Sequence, residues 1–231
     1  MSNSPLVNYT RLSPNHSGTR THAIDCITPH CVVGQCSVET LGEIFLPTSR
    51  QASCNYGIGS DGRVGMYVEE KNRSWCSSSN TNDQRAVTIE CASDTTEPYA
   101  FNEAVYHKLI DLCTDICKRN GKTKLLWFGD KNKTLNYSPT PDVMVLTIHR
   151  WFANKSCPGD WMYTRMGELA DKVSAQLGST HRIHTVVQGD TLWSIAVRYL
   201  GSGSRYKDIV KLNGLGSSII CSGMKLLIPN E

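Results

Sequence analysis

The run Ala86-Val-Thr-Ile-Glu-Cys-Ala92 is β-rich and almost continuously apolar, broken only by Thr88 and Glu90. A strand of that kind belongs inside a sheet covered on both faces, not on a sheet open to water. The chain supplies elements to cover it. Asn102 can cap a long helix with Val105, Leu109, Leu112, Cys113, Ile116 and Cys117 on one side, stopped by Gly121. Ser37 can cap a short helix carrying Val38, Leu41, Ile44 and Phe45. Asp160–Leu177 reads as a closing amphipathic helix with Leu169, Val173 and Leu177 in phase. Further strands are predicted over Thr21–His30, Asn55–Ile58, Val64–Val68, Lys124–Phe128 and Val143–His149, with Gly59-Ser-Asp-Gly62 as a hairpin signal. Strands alternating with helices predict an α/β fold, a mixed central β-sheet flanked by helices.

That unit is expected to occupy residues 1–178. Residues 1–20 are polar, with Pro5, Pro14, Asn15 and Gly18, and read as an irregular arm. Residues 179–183 read as a linker. Residues 184–231 then hold a strand, a capped helix, a second helix and a strand, a small βααβ module present in one copy. The formal net charge of +3 lies in the tail: residues 182–231 carry six basic and three acidic side chains, and the rest of the chain balances. That modest excess suits an anionic wall or simply a solvated surface. No basic run interleaved with aromatics points to nucleic acid. No apolar run is long enough to span a bilayer, so membrane insertion is not expected. The N-terminus lacks the basic start and apolar core of a secretory signal. Synthesis in a cytosol follows from that reading, with the ten scattered cysteines reduced and mostly buried. Cys113 and Cys117, four apart on a helix, are read as core residues over a metal pair. The chain is expected to be a monomer.

The chemistry concentrates in His149-Arg-Trp-Phe-Ala-Asn-Lys-Ser-Cys157-Pro-Gly-Asp. Imidazole and thiolate are both good zinc ligands. Lys155, two residues before Cys157, can steady a thiolate or an oxyanion. His30, at the end of a predicted strand, is the best third ligand, and three ligands leave a position open for water. Pro29 before it, a residue suited to strand ends and edges, bears on how His30 is presented. Glu90 ends an apolar strand, where a carboxylate needs a task or a partner. It is either a base or paired with an arginine such as Arg85. Trp75 and Trp151 either line a groove or pack in the core, and His16 and His22 have no assigned role.

His30, Asn55-Tyr56-Gly-Ile-Gly-Ser-Asp-Gly62, Arg85-Ala-Val-Thr-Ile-Glu90 and His149…Lys155-Ser-Cys157-Pro-Gly-Asp160, in that order, resemble the N-acetylmuramoyl-L-alanine amidases of the peptidoglycan-recognition-protein type, and phage endolysins among them. The resemblance covers roughly residues 20–178. It implies Zn2+ on His30, His149 and Cys157, with Glu90 taking a proton from water. It implies Lys155, joined by Tyr56, at the oxyanion; Tyr56 also reads as a half-buried strand aromatic. The bond cut would be the amide between N-acetylmuramic acid and L-alanine in peptidoglycan. The tail, His184-Thr-Val-Val-Gln-Gly-Asp-Thr-Leu-Trp-Ser-Ile-Ala196 to Gly223-Met-Lys-Leu-Leu-Ile-Pro229, resembles a LysM domain. It implies glycan contact through Gly189, Asp190, Thr191 and Leu192, and through Asn213, Ile219 and Ile220. Asp190 and Thr191 also suit a helix cap, and Leu192 a core position. As an endolysin the protein would be made in a bacterial cytoplasm and reach the wall after release. A host autolysin or spore-lysis amidase, a non-catalytic peptidoglycan sensor and an endopeptidase on the same zinc site are the alternatives. Cys157 argues against the sensor.

Overall fold

A computed structural model of the chain describes residues 2–178, 182–213, 215 and 217–229. The chain divides into two compact units, Met1–Leu177 and Gly178–Glu231. The first contains, in order, β1 (Val7–Thr10), β2 (His16–Thr19), β3 (Cys26–Cys31), α1 (Val38–Phe45), β4 (Tyr56–Ile58), β5 (Val64–Met66), β6 (Asn72–Ser74), α2 (Asn80–Arg85), β7 (Ala86–Cys91), α3 (Glu103–Arg119), β8 (Lys124–Leu126), α4 (Lys131–Leu135), β9 (Val143–Leu146), α5 (Asp160–Tyr163) and α6 (Met166–Gly178). Seven strands form one sheet in the order β1-β5-β4-β7-β3-β9-β8. Every neighbouring pair is parallel except β4–β5, the hairpin around Gly62.

The central pair shows how the sequence builds a site. In the parallel β3–β7 ladder Thr28 faces Thr88 and His30 faces Glu90, while Ile27, Pro29 and Cys31 face Val87, Ile89 and Cys91. Side chains alternate across a strand, so each parity lines its own face. Ile27, Cys31, Val87, Ile89 and Cys91 join one core with Val105, Leu109, Leu112, Cys113, Ile116 and Cys117 of α3 and Leu169, Val173 and Leu177 of α6. The other parity carries Thr28, His30, Thr88 and Glu90, the polar set. Pro29 is tolerated because the β3–β9 ladder ends at Ile27↔Leu146, leaving that side of the strand open beyond it. The register with β7 runs through Pro29 without a break, so His30 is set opposite Glu90.

Ser37 and Asn102 cap α1 and α3 as expected, accepting from the backbone N–H groups of Thr40 and Val105. Four expectations are corrected. Residues 1–20 are not an irregular arm: β1 is the edge strand of the main sheet, parallel to β5, and β2 pairs with β6. The closing helix is two helices, α5 and α6; the Thr164 hydroxyl donates to the Asp160 carbonyl at 3.1 Å, competing with helix continuation at the break. The first strand begins only at Cys26, and the strand before His149 ends at Leu146, so His149 stands on a single 3-10 turn, His149–Trp151.

The second unit holds β10 (Arg182–Thr185), α7 (Leu192–Leu200), α8 (Tyr206–Leu212) and β11 (Lys225–Ile228), with β10 and β11 antiparallel. Its core is Val186, Leu192, Ile195, Ala196, Leu200, Ile209, Leu226 and Ile228. Residues 179–181 of the expected linker lie outside the described residues, and β10 starts at Arg182, within that span. Among the described residues no helix is long and apolar enough to cross a membrane.

Candidate active site

His30 is the penultimate residue of β3 and has no solvent exposure. Its Nδ1 lies 3.3 Å from the Cys157 sulfur and 3.9 Å from Glu90 Oε1. The His149 ring meets it edge-on, 5.0 Å between centroids. The donor atoms of His30, His149 and Cys157 lie within 4.8 Å of one another. His30 forms a second group of the same span with Cys76 and Glu90. A strand histidine and two residues of a loop more than a hundred positions further along thus converge on one point, with Glu90 beside it.

The loop that carries Cys157 is tied to the His149 turn: Arg150 N–H donates to the Cys157 carbonyl at 3.1 Å, and the Arg150 guanidinium reaches the Ser156 carbonyl. Gly159 closes the loop at φ +81°, where a Cβ would stand 2.7 Å from the Pro98 carbonyl oxygen, so only glycine fits.

The electrostatics follow from burial. Desolvation, reinforced by neighbouring His149, holds His30 well below the usual imidazole pKa. Burial and the Lys155 charge lower His149 as well. Both rings are therefore neutral and have lone pairs to give. The Cys157 thiol is pushed up by a hydrogen bond with Cys31, by burial and by Glu90. A bound cation would reverse that, because thiolate is the ligand form. Glu90 is pushed up to about 7 by burial, partly offset by the Cys76 thiol, which donates to Oε1 at 3.7 Å. Its Oε2 is buried with no partner among the described residues. Arg85 does not pair with Glu90; it is bidentate on Asp25 at 2.8 and 2.9 Å.

A cleft of about 850 Å3 is lined by Glu90, His149, Lys155 and Cys157, together with Arg50, Arg73 and Trp75. Lys155 is exposed at its edge. Trp75 lines this cleft, its indole N–H donating to Ser17 at 2.6 Å. Trp151 stacks on Trp127 and lines a separate cavity of about 450 Å3.

The structure does not bring Tyr56 to the wall of this cleft. It is fully buried, its hydroxyl donates to Glu70 at 2.6 Å and accepts from the Ser4 N–H at 2.8 Å. Glu70 in turn pairs with Arg119 at the end of α3. The phenol thus joins a structural network that pins the N-terminal segment. Cys76 and Ser78, by contrast, stand at the site without having been singled out. Both belong to Cys76-Ser-Ser-Ser-Asn80, where nothing local distinguishes one serine from the next.

In the second unit, four of the expected glycan residues serve its own framework. Asp190 accepts from the Val187 N–H at 2.9 Å and from His184 Nε2 at 2.7 Å, which lower its pKa. Leu192 is in the core. The Asn213 amide bonds both the N–H and the carbonyl of Leu227 on β11, each at 2.8 Å. Thr191 caps α7 in a reciprocal box with Ser194. Gly189 and Ile219 remain exposed, Ile219 at 78%, while Ile220 packs partly on the core. Residues 214 and 216 of the expected groove lie outside the described residues.

The sequence profile of the N-acetylmuramoyl-L-alanine amidase family (Amidase_2) matches residues 16–160, and that of the LysM domain matches residues 184–229. Among solved structures the chain is similar to the Staphylococcus aureus hydrolase AmiA in complex with its ligand, at 11% identity over 73% of this chain and 82% of that one, TM-score 0.51. It is similar also to PlyL, at 12% identity over 71% of this chain and 95% of that one, TM-score 0.50. At such identities the likeness is one of fold. No curated protein matches the chain in sequence.

Proposed function

The chain belongs to the N-acetylmuramoyl-L-alanine amidase family and carries a LysM domain, and from that premise we propose that it is a zinc-dependent hydrolase of the amide between N-acetylmuramic acid and L-alanine. The observation that carries the reading is the convergence of His30, His149 and Cys157 within 4.8 Å, at a cleft that also holds the Glu90 carboxylate, whose Oε2 has no partner among the described residues. Two neutral imidazoles and a thiol are a donor set suited to zinc, and three protein ligands leave a position for water or substrate. When bound, zinc supplies Lewis acidity at the scissile carbonyl and acidifies water.

The chain's own residues do the rest. Glu90, with its pKa near neutrality, takes a proton from the attacking water and returns it to the leaving amine. Lys155, at the cleft edge, places its charge where the oxyanion develops. Tyr56 has no part in this step. The LysM unit holds the enzyme on its insoluble substrate and raises the effective concentration of the catalytic unit there. We place the protein, as an endolysin, at the wall of an infected bacterium after release from the cytoplasm.

The test is digestion of purified Gram-positive cell walls by wild type and Cys157→Ala, with zinc measured on both and products identified by mass spectrometry. The expected result is about one zinc per wild-type chain, with release of stem peptides bearing a free L-alanine N-terminus. Both should be lost in the variant. Clearing that survives the substitution overturns the zinc assignment. Products cut within the peptide overturn the bond assignment.

A further inference from the structure

The two histidines of the candidate centre are held by different means. His30 is enclosed, in a strand whose register fixes it opposite Glu90, and its Nε2 has no partner among the described residues. Packing, with the Cys157 sulfur 3.3 Å from Nδ1, sets that ring. His149 is partly exposed, on one 3-10 turn beyond the end of its strand. Among the described residues, the Ser78 hydroxyl is the polar group that tethers its ring, 3.1 Å from Nε2.

Ser78 sits at φ +62°, in left-handed backbone that a serine rarely adopts. The flanking residues enforce it. The buried Asp83 carboxylate accepts the N–H groups of Cys76 and Ser77 at 3.0 and 3.2 Å. Asn82 Nδ2 donates to Ser77 Oγ at 3.0 Å, and Ser79 caps α2 through the Asn82 N–H. On the other side, Trp75 and Ser53 exchange two hydrogen bonds, 2.9 and 3.1 Å. Strained backbone persists where surrounding structure over-determines it, and such positions gather at functional sites.

Resting on the metal reading above, we propose that Ser78 is a positioning residue for His149: its hydroxyl accepts Nε2–H, which fixes the tautomer and the ring and leaves Nδ1 as the lone-pair donor to the metal. Hydrogen bonds to the far nitrogen of a metal-ligating histidine orient the ring, and their loss weakens metal binding about 10–100-fold. The left-handed turn is what lets the hydroxyl reach Nε2. Asparagine also tolerates left-handed backbone and carries an acceptor oxygen.

The full chain is stripped of metal, and zinc affinity is measured by chelator competition for wild type, Ser78→Ala, Ser78→Gly, Ser78→Asn and His149→Ala. Cobalt-loaded visible spectra and the melting of metal-free protein are recorded alongside. The expected result is a loss of about 10–100-fold for the alanine and glycine variants, recovery in Ser78→Asn, and an altered cobalt spectrum in the first two. The metal-free melting points of alanine and wild type should coincide, which a purely structural role would not give. Alanine and glycine variants binding zinc within twofold of wild type, while His149→Ala binds weakly, overturn the role of Ser78 and leave the metal centre standing. Wild type and His149→Ala binding alike overturns the centre and, with it, the positioning role.

Discussion

Glu90→Gln separates the chemistry of the carboxylate from its cost to the fold. The side chain is 15% exposed, Oε2 has no partner, and burial raises its pKa from an ordinary 4.5 to about 7. The folded state therefore binds the proton more tightly than the unfolded state does. A carboxyl of that kind supports the fold fully below about pH 4.5, and its contribution is lost as pH rises toward 7. At ~1.4 kcal/mol per tenfold change in proton affinity, the contribution of Glu90 to the stability of the metal-free wild type falls by ~3 kcal/mol across that window. Glutamine does not titrate. Any constant cost of burying its amide shifts the variant equally at every pH. The difference between variant and wild type should therefore grow in the variant's favour by ~3 kcal/mol between pH 4.5 and 8. In a domain of this size that is roughly 6–12 °C in melting temperature. Thermal melts of both proteins in chelator, at half-unit pH steps, measure it. Wall hydrolysis by the variant should be abolished at every pH. A melting difference that stays flat from pH 4.5 to 8 would refute the reasoning, because the carboxylate would then titrate alike in both states.

Tyr56→Phe removes a buried hydroxyl bonded to Glu70 and Ser4; it should cost ~1–2 kcal/mol of stability while leaving hydrolysis per folded molecule unchanged. A hundredfold fall in rate at unchanged stability would return Tyr56 to the site. Lys155→Ala should lower kcat about 10²-fold at unchanged zinc content, in line with loss of an oxyanion partner, and a rate within twofold of wild type would remove it from the mechanism. Gly203→Ala should destabilise the LysM unit by ~1 kcal/mol, since a Cβ there falls 2.0 Å from a ring atom of Trp193. The ring is 57% exposed and can swing outward, which limits the cost. An unchanged unfolding transition would mean that Trp193 does not rest on Gly203.

What the sequence disclosed and what it hid divide along a physical line. The strand with Glu90, the caps at Ser37 and Asn102, and the apolar side of α3 are written in residues a few positions apart, and those appear where periodicity and capping chemistry put them. The loop from His149 to Cys157 is also local. His30 is not, yet it was reachable because a chemical requirement, a third ligand, could be matched to a strand end. The features that escaped depend on long-range partners without a chemical label. β1 is four residues, Val7-Asn-Tyr-Thr10, alternating partly buried and exposed, and only its pairing with β5 makes it a strand. Tyr56 looks the same in sequence whether its hydroxyl faces a cleft or the Glu70–Arg119 pair, and Arg119 is contributed by the far end of α3. Ser78 is the extreme case. Its distinction from Ser77 and Ser79 lies in one backbone dihedral, imposed by Asp83 and Asn82 of the following helix. A residue that acts by holding a ligand's far side needs no unusual chemistry of its own. The supporting residues of a centre like this one are therefore the last to show in a sequence and among the first to show in a structure, as a strained dihedral beside a histidine.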